Sequence, residues 1–237
     1  MRFKKAFAVA PGDVVAFIGA GGKTSLLVGL GYELAEAGWR VLATTTTKLS
    51  TEQLDLFPCT MAAGAAPRAI SQALTEHQFV LLHEQIRSGY VYGPPAEWTR
   101  QLLDSVDSDI LLVEADDAAG MPFKAPMADE PQIPLETSVV ISVASLRALG
   151  LPLDSDHVYN PAAMIDRYGF VENSPVKSAW LAQVLRDEAL GLRGVPAEAR
   201  VVVFLNQTPE RGFMRGRARM IARLSLQNAR ILSLIHI

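Results

Sequence analysis

The feature that most constrains the fold is a regular alternation of short apolar runs with helix-length segments. The apolar runs are at 13–19, 40–46, 79–84, 109–115, 138–144 and 200–206. Segments of helical composition lie between them, at 23–37, 67–76, 95–105, 176–189 and 212–226. This alternation is typical of parallel strands joined by crossover helices. We therefore predict an α/β protein with three α/β/α layers and a mostly parallel sheet.

The segment between the first predicted strand and helix, GAGGKTS, has the composition of a phosphate-binding loop. Its glycines allow a tight turn that points backbone N–H groups inward, and the following helix N-terminus favours an anion. Lys23 would reach the β- and γ-phosphates, and the Thr24 hydroxyl would hold Mg²⁺. The alternative is a glycine-rich turn with an incidental Lys-Thr pair. The expected nucleotide contacts are Gly19, Gly21, Gly22, Lys23, Thr24 and Ser25.

The loop departs from the common G-x-x-x-x-G-K-[ST] pattern because Phe17 stands where that pattern has its first glycine. The shortened form G-x-G-G-K-T is similar to the loop of the Mur ligases. The missing glycine would change the entry to the loop and leave the lysine and threonine in place. We therefore predict a P-loop NTPase-like fold, with residues 1–230 forming a single nucleotide-binding domain.

Acidic residues follow the apolar run 109–115, where a P-loop protein needs a carboxylate for the metal. Strand alternation places Glu114 and Asp116 on one face and Asp117 on the other. Glu114 or Asp116 is expected to bind Mg²⁺ or to orient an attacking water. The alternative is a solvated strand end that happens to be acidic.

Two further strand ends carry polar residues that we expect at the nucleotide. The second strand ends in TTTTK, where Thr46 and Lys48 would contact phosphate or metal at the carboxyl edge of the sheet. The last strand ends in NQTPE, in the place where guanine-binding proteins carry N-K-x-D. The guanine-reading acceptor is absent or displaced to Glu210, whereas Asn206 is expected to touch a base.

Residues 116–137 hold four prolines and several charges without a helical or strand pattern. A connection of this length is usually functional or disordered, and its regular apolar spacing favours a functional loop. Its prolines restrict the backbone and so reduce the entropy lost when Lys124 and Glu130 are presented. These two residues would contact a second, anionic substrate or a partner. The alternative is an exposed Lys124–Glu130 ion pair that contributes about 0–1 kcal/mol.

Three motifs in this order, GAGGKTS, TTTTK and EADDAAGMPFKAPMADEPQIP, resemble the YqeC family. Its members are associated with the maturation of selenium-dependent molybdenum hydroxylases. The resemblance spans about residues 12–137. It implies that the loop from Gly21 to Thr24 binds nucleotide phosphate. It also implies that the family's characteristic site is lined by Glu114, Asp116, Lys124, Glu130 and Pro131.

The chain departs from the family pattern at two positions of this signature. Asp117 stands where the pattern usually has glycine, and it would stiffen a permissive turn and add charge. Asp129 stands where a histidine commonly precedes the Glu-Pro pair, so a group able to bind metal or transfer a proton is missing. Both changes affect the chemistry expected of the loop.

Composition narrows the expected partners and compartment. The 237 residues carry a net charge of −3, which gives no electrostatic reason to expect nucleic acid as a partner. No stretch approaches the roughly 20 apolar residues of a membrane helix, so no membrane association is expected. The single cysteine, Cys59, allows no internal disulfide, and we expect a cytoplasmic protein.

The last six residues, LSLIHI, match a translation of a transposon end used in preparing sequencing libraries. We therefore expect residues 231–237 to be a non-native tail, with the true C-terminus missing beyond about residue 230. The alternative is a short apolar strand.

The sequence supports three functional hypotheses. The first is an ATP- or GTP-binding protein with Mg²⁺ that hydrolyses the nucleotide or transfers a phosphoryl or nucleotidyl group. The resemblance implies that it would serve maturation of a selenium-containing molybdenum hydroxylase, with the hydroxylase or its cofactor as partner. The second is a nucleotide-switched chaperone or regulator without small-molecule chemistry, in which residues 116–137 face the client protein. The third is a Mur-ligase-like ATP-dependent ligase.

Overall fold

The structure is a computed structural model that describes residues 2–208 and 213–236. The chain forms two compact units, each assembled from separate segments. The first unit contains the chain up to Phe17 together with Thr24–Asp116 and Gln132–Val139. The second contains Ile18–Lys23, Asp117–Pro131 and the chain from Val140 onward.

The first unit holds most of the helices and strands of the N-terminal half. In chain order they are α1 (Phe3–Phe7), β1 (Val14–Gly19), α2 (Lys23–Glu36), β2 (Val41–Thr45), β3 (Lys48–Ser50), a 3₁₀ helix (Thr51–Leu56), β4 (Thr60–Ala62), α3 (Pro67–His77), β5 (Phe79–His83), β6 (Gln85–Arg87), β7 (Tyr90–Tyr92), a 3₁₀ helix (Ala96–Trp98), α4 (Thr99–Ser105) and β8 (Ile110–Glu114). All the strands predicted here begin and end within one or two residues of their expected positions.

The strands of the first unit pair in the order β1-β8-β2-β5-β4, and each of these pairings is parallel. Parallel pairing brings the carboxyl ends of neighbouring strands to one edge, so that Glu114 of β8 lies in register with Phe17 of β1 and Thr45 of β2. A small antiparallel sheet joins β3, β7 and β6. Within this sheet β6 and β7 form a hairpin, with Arg87 paired to Tyr90.

The core of the first unit lies between these strands and helix α2. Leu27, Leu30 and Leu34 recur at helical spacing and are buried, which explains why the helix packs along one face. Gly31 allows a close approach, since a Cβ at this position would lie 2.3 Å from the ring of Phe79. This packing fixes the axis of α2 and thereby the position of Thr24 in its first turn.

The second unit holds the remaining elements. They are β9 (Val139–Ser145), a 3₁₀ helix (Leu146–Ala148), α5 (Pro161–Tyr168), α6 (Ser178–Leu185), β10 (Arg200–Asn206), α7 (Phe213–Ser225) and β11 (Ile231–His236). The strands are ordered β9-β10-β11, and β11 runs parallel to β10. Buried β-branched residues fill β10 from Val201 to Val203, as its apolar run predicted.

The prediction of an α/β fold with a mostly parallel sheet is confirmed, because in both units parallel strands alternate with helices. The architecture is consistent with the three-layer, P-loop NTPase-like fold. Residues 116–137 contain no helix or strand among the described residues, as expected. The pairing of β11 with β10 fits the alternative of a short apolar strand, while the non-native origin of 231–237 and the single domain over 1–230 stay predictions. Pro209 and Glu210 lie outside the described residues.

Candidate functional site

Phe17, which replaces the first glycine of the usual loop, is a core residue of strand β1. It is 0% exposed and lies in register with Glu114 of β8. Its carbonyl oxygen accepts a hydrogen bond of 3.0 Å from the amide of Ala115. The strand therefore continues through this position and ends two residues later, at Gly19.

The glycines of the loop are required by both conformation and space. Gly19, Gly21 and Gly22 have φ angles of +91°, +89° and +117°, which L side chains rarely adopt. A Cβ at Gly19 would lie 2.2 Å from the carbonyl oxygen of Val143, and one at Gly21 would lie 2.4 Å from the Cβ of Ser145. The loop thus folds directly against strand β9 of the second unit.

Lys23 and Asn206 both hold the loop through its carbonyl groups. The Lys23 ammonium, in a residue that is 5% exposed, donates to the carbonyl oxygen of Gly19 at 2.8 Å. The Asn206 amide donates to the carbonyl oxygen of Gly21 at 2.7 Å, and its own oxygen accepts from the Gln207 amide at 2.8 Å. The sequence did not predict this contact of Asn206, and its base contact stays a prediction.

Within the first unit, the side chains of Thr24 and Glu114 are joined by a hydrogen bond. The Thr24 hydroxyl donates to Glu114 Oε2 at 2.8 Å. Glu114 and Asp116 are both buried, at 7% and 3% exposure. Ser25, the next residue of α2, is exposed. Hydroxyl and carboxylate oxygens are the ligands that Mg²⁺ prefers, so the donor set fits this ion.

Gln53 also contacts Thr24, and sequence reasoning missed it. Its side-chain amide donates to Thr24 Oγ1 at 2.9 Å, while its oxygen accepts from the Ser50 amide at 2.8 Å. The second of these bonds belongs to the S-x-x-Q pattern of a capping box, which could have located the turn in the sequence. The contact with Thr24, 29 residues away in the chain, has no local signal.

The threonine run after β2 bonds mainly to backbone carbonyl groups. Thr44 Oγ1 donates to Leu82 O, and Thr45 Oγ1 donates to Glu114 O, each at 3.0 Å. Thr46, which is buried, donates from its hydroxyl to Gln132 O at 2.8 Å. These hydroxyls therefore fasten strand ends to one another. The expected contacts of Thr46 with nucleotide stay a prediction.

Lys48, the first residue of β3, contacts an aromatic ring of the small antiparallel sheet. Its ammonium lies 4.7 Å from the ring centroid of Tyr90, within the range of a cation–π interaction. Tyr90 is partly exposed, so the pair lies at the surface of the first unit. The predicted contact of Lys48 with phosphate stays a prediction.

The ion pair predicted for the proline-rich loop exists, but it is buried. Lys124 Nζ and Glu130 Oε2 are 2.9 Å apart, and their side chains are 3% and 10% exposed. Lys124 also donates to the carbonyl oxygen of Asp117 at 2.5 Å, and its ammonium lies 4.8 Å from the centroid of the Tyr159 ring. The alternative of an exposed ion pair is therefore wrong: the lysine joins both ends of the loop from inside it.

The pKa of Tyr159 is raised by its position in this cluster. Burial, followed by the negative charges of Glu130 and Asp117, raises its pKa to about 12. Its hydroxyl lies 3.4 Å from Glu130 Oε1, with the hydroxyl as donor. Tyr159 therefore remains neutral throughout the physiological range and supplies an aromatic face to Lys124.

The outer part of the loop is held from the C-terminal half of the chain. Asn160 donates to Pro126 O at 2.7 Å. Arg193 donates to the carbonyl oxygens of Met127 and Ala128 at 3.0 and 2.6 Å. With these anchors the loop presents Met127 and the neighbouring Asp129 at the surface, whereas Pro131 is half-buried.

The contacts described above form three groups. The first unit brings together Thr24, Glu114 and Gln53; the second brings the glycine loop and Lys23 together with Asn206; and the second also contains the Lys124 cluster. Across residues 2–208 and 213–236 no cluster of three or more His, Cys, Asp or Glu side chains could hold a metal ion. Mg²⁺ usually needs only one or two carboxylates besides phosphate and water, so such a cluster is not required. In the same described part of the chain, no helix is long and apolar enough to cross a membrane.

Comparison with known proteins finds similarity over the part of the chain that contains the glycine loop and the proline-rich loop. A family model described as "YqeC protein" matches residues 15–162, a range that includes every predicted site residue except Asn206. The "Uncharacterized protein YqeC" of Escherichia coli (strain K12) is 31% identical over 196 residues. The alignment covers 82% of this chain and 75% of that protein.

Proposed function

Because the chain belongs to the YqeC protein family, we propose that its glycine loop and the following helix bind a nucleoside triphosphate, ATP or GTP, together with Mg²⁺. The observation that carries this proposal is the 2.8 Å hydrogen bond from Thr24 to Glu114. A hydroxyl that directly follows Gly-Lys and bonds an acidic residue at the end of a neighbouring strand is the arrangement that P-loop NTPases use for the metal.

In this proposal residues 19–24 form one uninterrupted phosphate-binding stretch. The loop amides and the Lys23 ammonium neutralise phosphate charge, as donors directed at an anion. Thr24 and Glu114 hold the magnesium ion, which when bound screens the phosphate charge further. The Lys23 ammonium donates to the carbonyl oxygen of Gly19, which holds its positive charge at the glycine loop that would bind the phosphates.

The same residues support hydrolysis or group transfer. Asp116 is buried two residues beyond Glu114, so one carboxylate can hold the metal while the other orients a water or acceptor hydroxyl. Release of inorganic phosphate from ATP or GTP would identify a hydrolase. A product that carries the phosphoryl or nucleotidyl group would identify a transferase, and tight binding without either would favour the nucleotide switch.

The test is a calorimetric titration of ATP, GTP and CTP in the presence of Mg²⁺, on the wild type and on Lys23→Ala. A charge-assisted hydrogen bond contributes about 1.5–3 kcal/mol, so the variant should bind at least about tenfold more weakly. Lys177→Ala is the matched control, because Lys177 is an exposed lysine of the same unit. Equal affinity of Lys23→Ala and the wild type would exclude the phosphate-loop assignment.

We further propose that the client is a selenium-dependent molybdenum hydroxylase or its cofactor, a role that rests on the family resemblance. The surface for it would be the fixed loop around Met127 and Asp129, which Arg193 and Asn160 hold in place. In this version Lys124 and Glu130 shape the loop from inside and do not touch the client. We expect the protein to co-purify with the hydroxylase only when nucleotide is present, and Lys23→Ala to lose this co-purification. Co-purification that is equally strong with and without nucleotide would contradict the proposal.

A further inference from the structure

Gln53 links the Thr24 hydroxyl to the 3₁₀ helix Thr51–Leu56 of the first unit. We propose that Gln53 is a positioning residue for the divalent cation: it fixes the direction of the Thr24 hydroxyl so that one lone pair is available to the metal. The proposal rests on the proposed function, and its test separates the two.

The orientation of the Gln53 amide follows from its two contacts. The backbone amide of Ser50 can only donate, so the atom that faces it at 2.8 Å must be the Gln53 oxygen. The NH₂ group therefore faces Thr24 Oγ1, at 2.9 Å, and can only donate there. The two ends of the side chain cannot be exchanged without loss of both hydrogen bonds.

This donor determines what the Thr24 hydroxyl can do. A hydroxyl has one proton and two acceptor lone pairs. One lone pair accepts from Gln53, and the proton is given to Glu114 Oε2 at 2.8 Å. One lone pair is left, and it belongs to the oxygen atom that a P-loop threonine offers to magnesium.

The backbone that carries Gln53 is itself held in place. Gln53 lies in the 3₁₀ helix Thr51–Leu56, whose first residue donates from its amide to Gly89 O at 3.0 Å and from its hydroxyl to the same oxygen at 3.2 Å. Ser50 pairs with Tyr90 in the small antiparallel sheet. The sheet β3-β7-β6 therefore acts as the frame that positions Gln53 against Thr24.

The experiment measures the Mg²⁺ enhancement, defined as the ratio of the nucleotide dissociation constants in EDTA and in Mg²⁺. ATP and GTP are titrated separately into each variant by calorimetry. Gln53→Met keeps the length of the side chain but removes the donor, and we expect the enhancement to fall by about three- to tenfold, the effect of one hydrogen bond. Binding in EDTA should be unchanged, because the phosphate loop is not touched.

Glu52→Met is the matched control for a merely structural effect on the 3₁₀ helix that carries Gln53. Glu52 is an exposed residue next to Gln53 in that helix, so the substitution changes the same turn and leaves both side-chain hydrogen bonds of Gln53 in place. The enhancement should stay close to that of the wild type. In a Thr24→Ala background, Gln53→Met should cause no further decrease, since its target is gone. Thermal unfolding of each variant checks that it is folded.

The outcomes separate the two proposals. A wild type without Mg²⁺ enhancement would overturn the proposed function and this inference with it. An enhanced wild type whose enhancement survives Gln53→Met, or falls equally in Glu52→Met, would overturn the role of Gln53 alone. If Gln53→Met does not fold, an undiminished enhancement in Gln53→Leu would overturn the inference, and a selective loss would support it.

Discussion

The side-chain amide of Asn206 donates a 2.7 Å hydrogen bond to the carbonyl oxygen of Gly21, and thereby joins the end of strand β10 to the glycine loop. The oxygen of the same amide accepts from the Gln207 backbone. Gly22 lies so close that a Cβ there would be 2.4 Å from the Asn206 nitrogen. Both polar ends of Asn206 therefore serve the conformation of the loop.

Replacing Asn206 should for that reason weaken the binding of all nucleotides to a similar extent. We expect Asn206→Ala to reduce the affinities for ATP, GTP and CTP by a similar factor of about two to ten, because the loop loses one hydrogen bond. Calorimetry on the three nucleotides measures this. Asn228→Ala is the control, since Asn228 also donates its amide to a carbonyl group, that of Arg186. A loss confined to one nucleotide would instead assign Asn206 to base recognition.

The two buried carboxylates at the end of β8 and just beyond it, Glu114 and Asp116, should differ in their effect on metal binding. Because Glu114 bonds the Thr24 hydroxyl, Glu114→Gln should lower the Mg²⁺ enhancement of nucleotide binding by at least about tenfold, as expected for loss of a charged partner. Asp116→Asn should retain more of the enhancement and lose turnover. Titration of Mg²⁺ at fixed nucleotide concentration compares the two, and the reverse ranking would make Asp116 the metal ligand.

The strands could be predicted closely because each is a continuous apolar run that ends in polar residues. The run 109–115 corresponds to β8 at Ile110–Glu114, and 200–206 corresponds to β10 at Arg200–Asn206. Parallel strands are usually buried on both faces, so a continuous apolar run is enough to predict where such a strand begins and ends. The positions of Lys23 and Thr24 at the start of α2 followed from the same boundaries.

Short elements and long-range contacts were not predictable in this way. Strands β3 and β6 have only three residues each, too few for a hydrophobic period, and α5 was not predicted at all. The contacts of Gln53 with Thr24 and of Asn206 with Gly21 join residues 29 and 185 positions apart. The prolines of 116–137 indicated a fixed loop, but they could not show that Lys124 would be enclosed by it.

The enclosed ion pair makes the loop sensitive to removal of a single partner. Lys124→Met leaves the Glu130 carboxylate buried without its ammonium, and breaking such a pair typically lowers the free energy of unfolding by about 3–5 kcal/mol. Lys124→Met/Glu130→Gln should recover part of this loss, because no charge remains to be solvated. Urea unfolding measures both, with Lys177→Met as the exposed-lysine control. A change below about 1 kcal/mol for Lys124→Met would indicate that the pair behaves as a surface pair.

The pair Arg40–Asp109 predicts a pH-dependent contribution to stability. Hydrogen bonds from the Arg40 side chain, and then from its backbone amide, hold the pKa of Asp109 below its usual value of 3.8. A carboxyl whose pKa is depressed by folding stabilises the protein above the unfolded pKa, and this stabilisation is lost as pH falls through the folded pKa.

We therefore expect the wild type to exceed Arg40→Met in stability by about 1 kcal/mol or less at pH 6, because the pair is partly exposed. The difference should shrink as the pH is lowered below the usual pKa of Asp109 and approach zero once the carboxyl is protonated in both states. Urea unfolding of both proteins between pH 2.5 and pH 6 gives this comparison, since the guanidinium stabilises Asp109, and its second partner Asp107, only in their ionised forms. Arg68→Met, at an exposed position of α3, should show no such pH dependence. A stability difference that is the same at both ends of the range would show that Arg40 acts through packing of its side chain and not through the charge of Asp109.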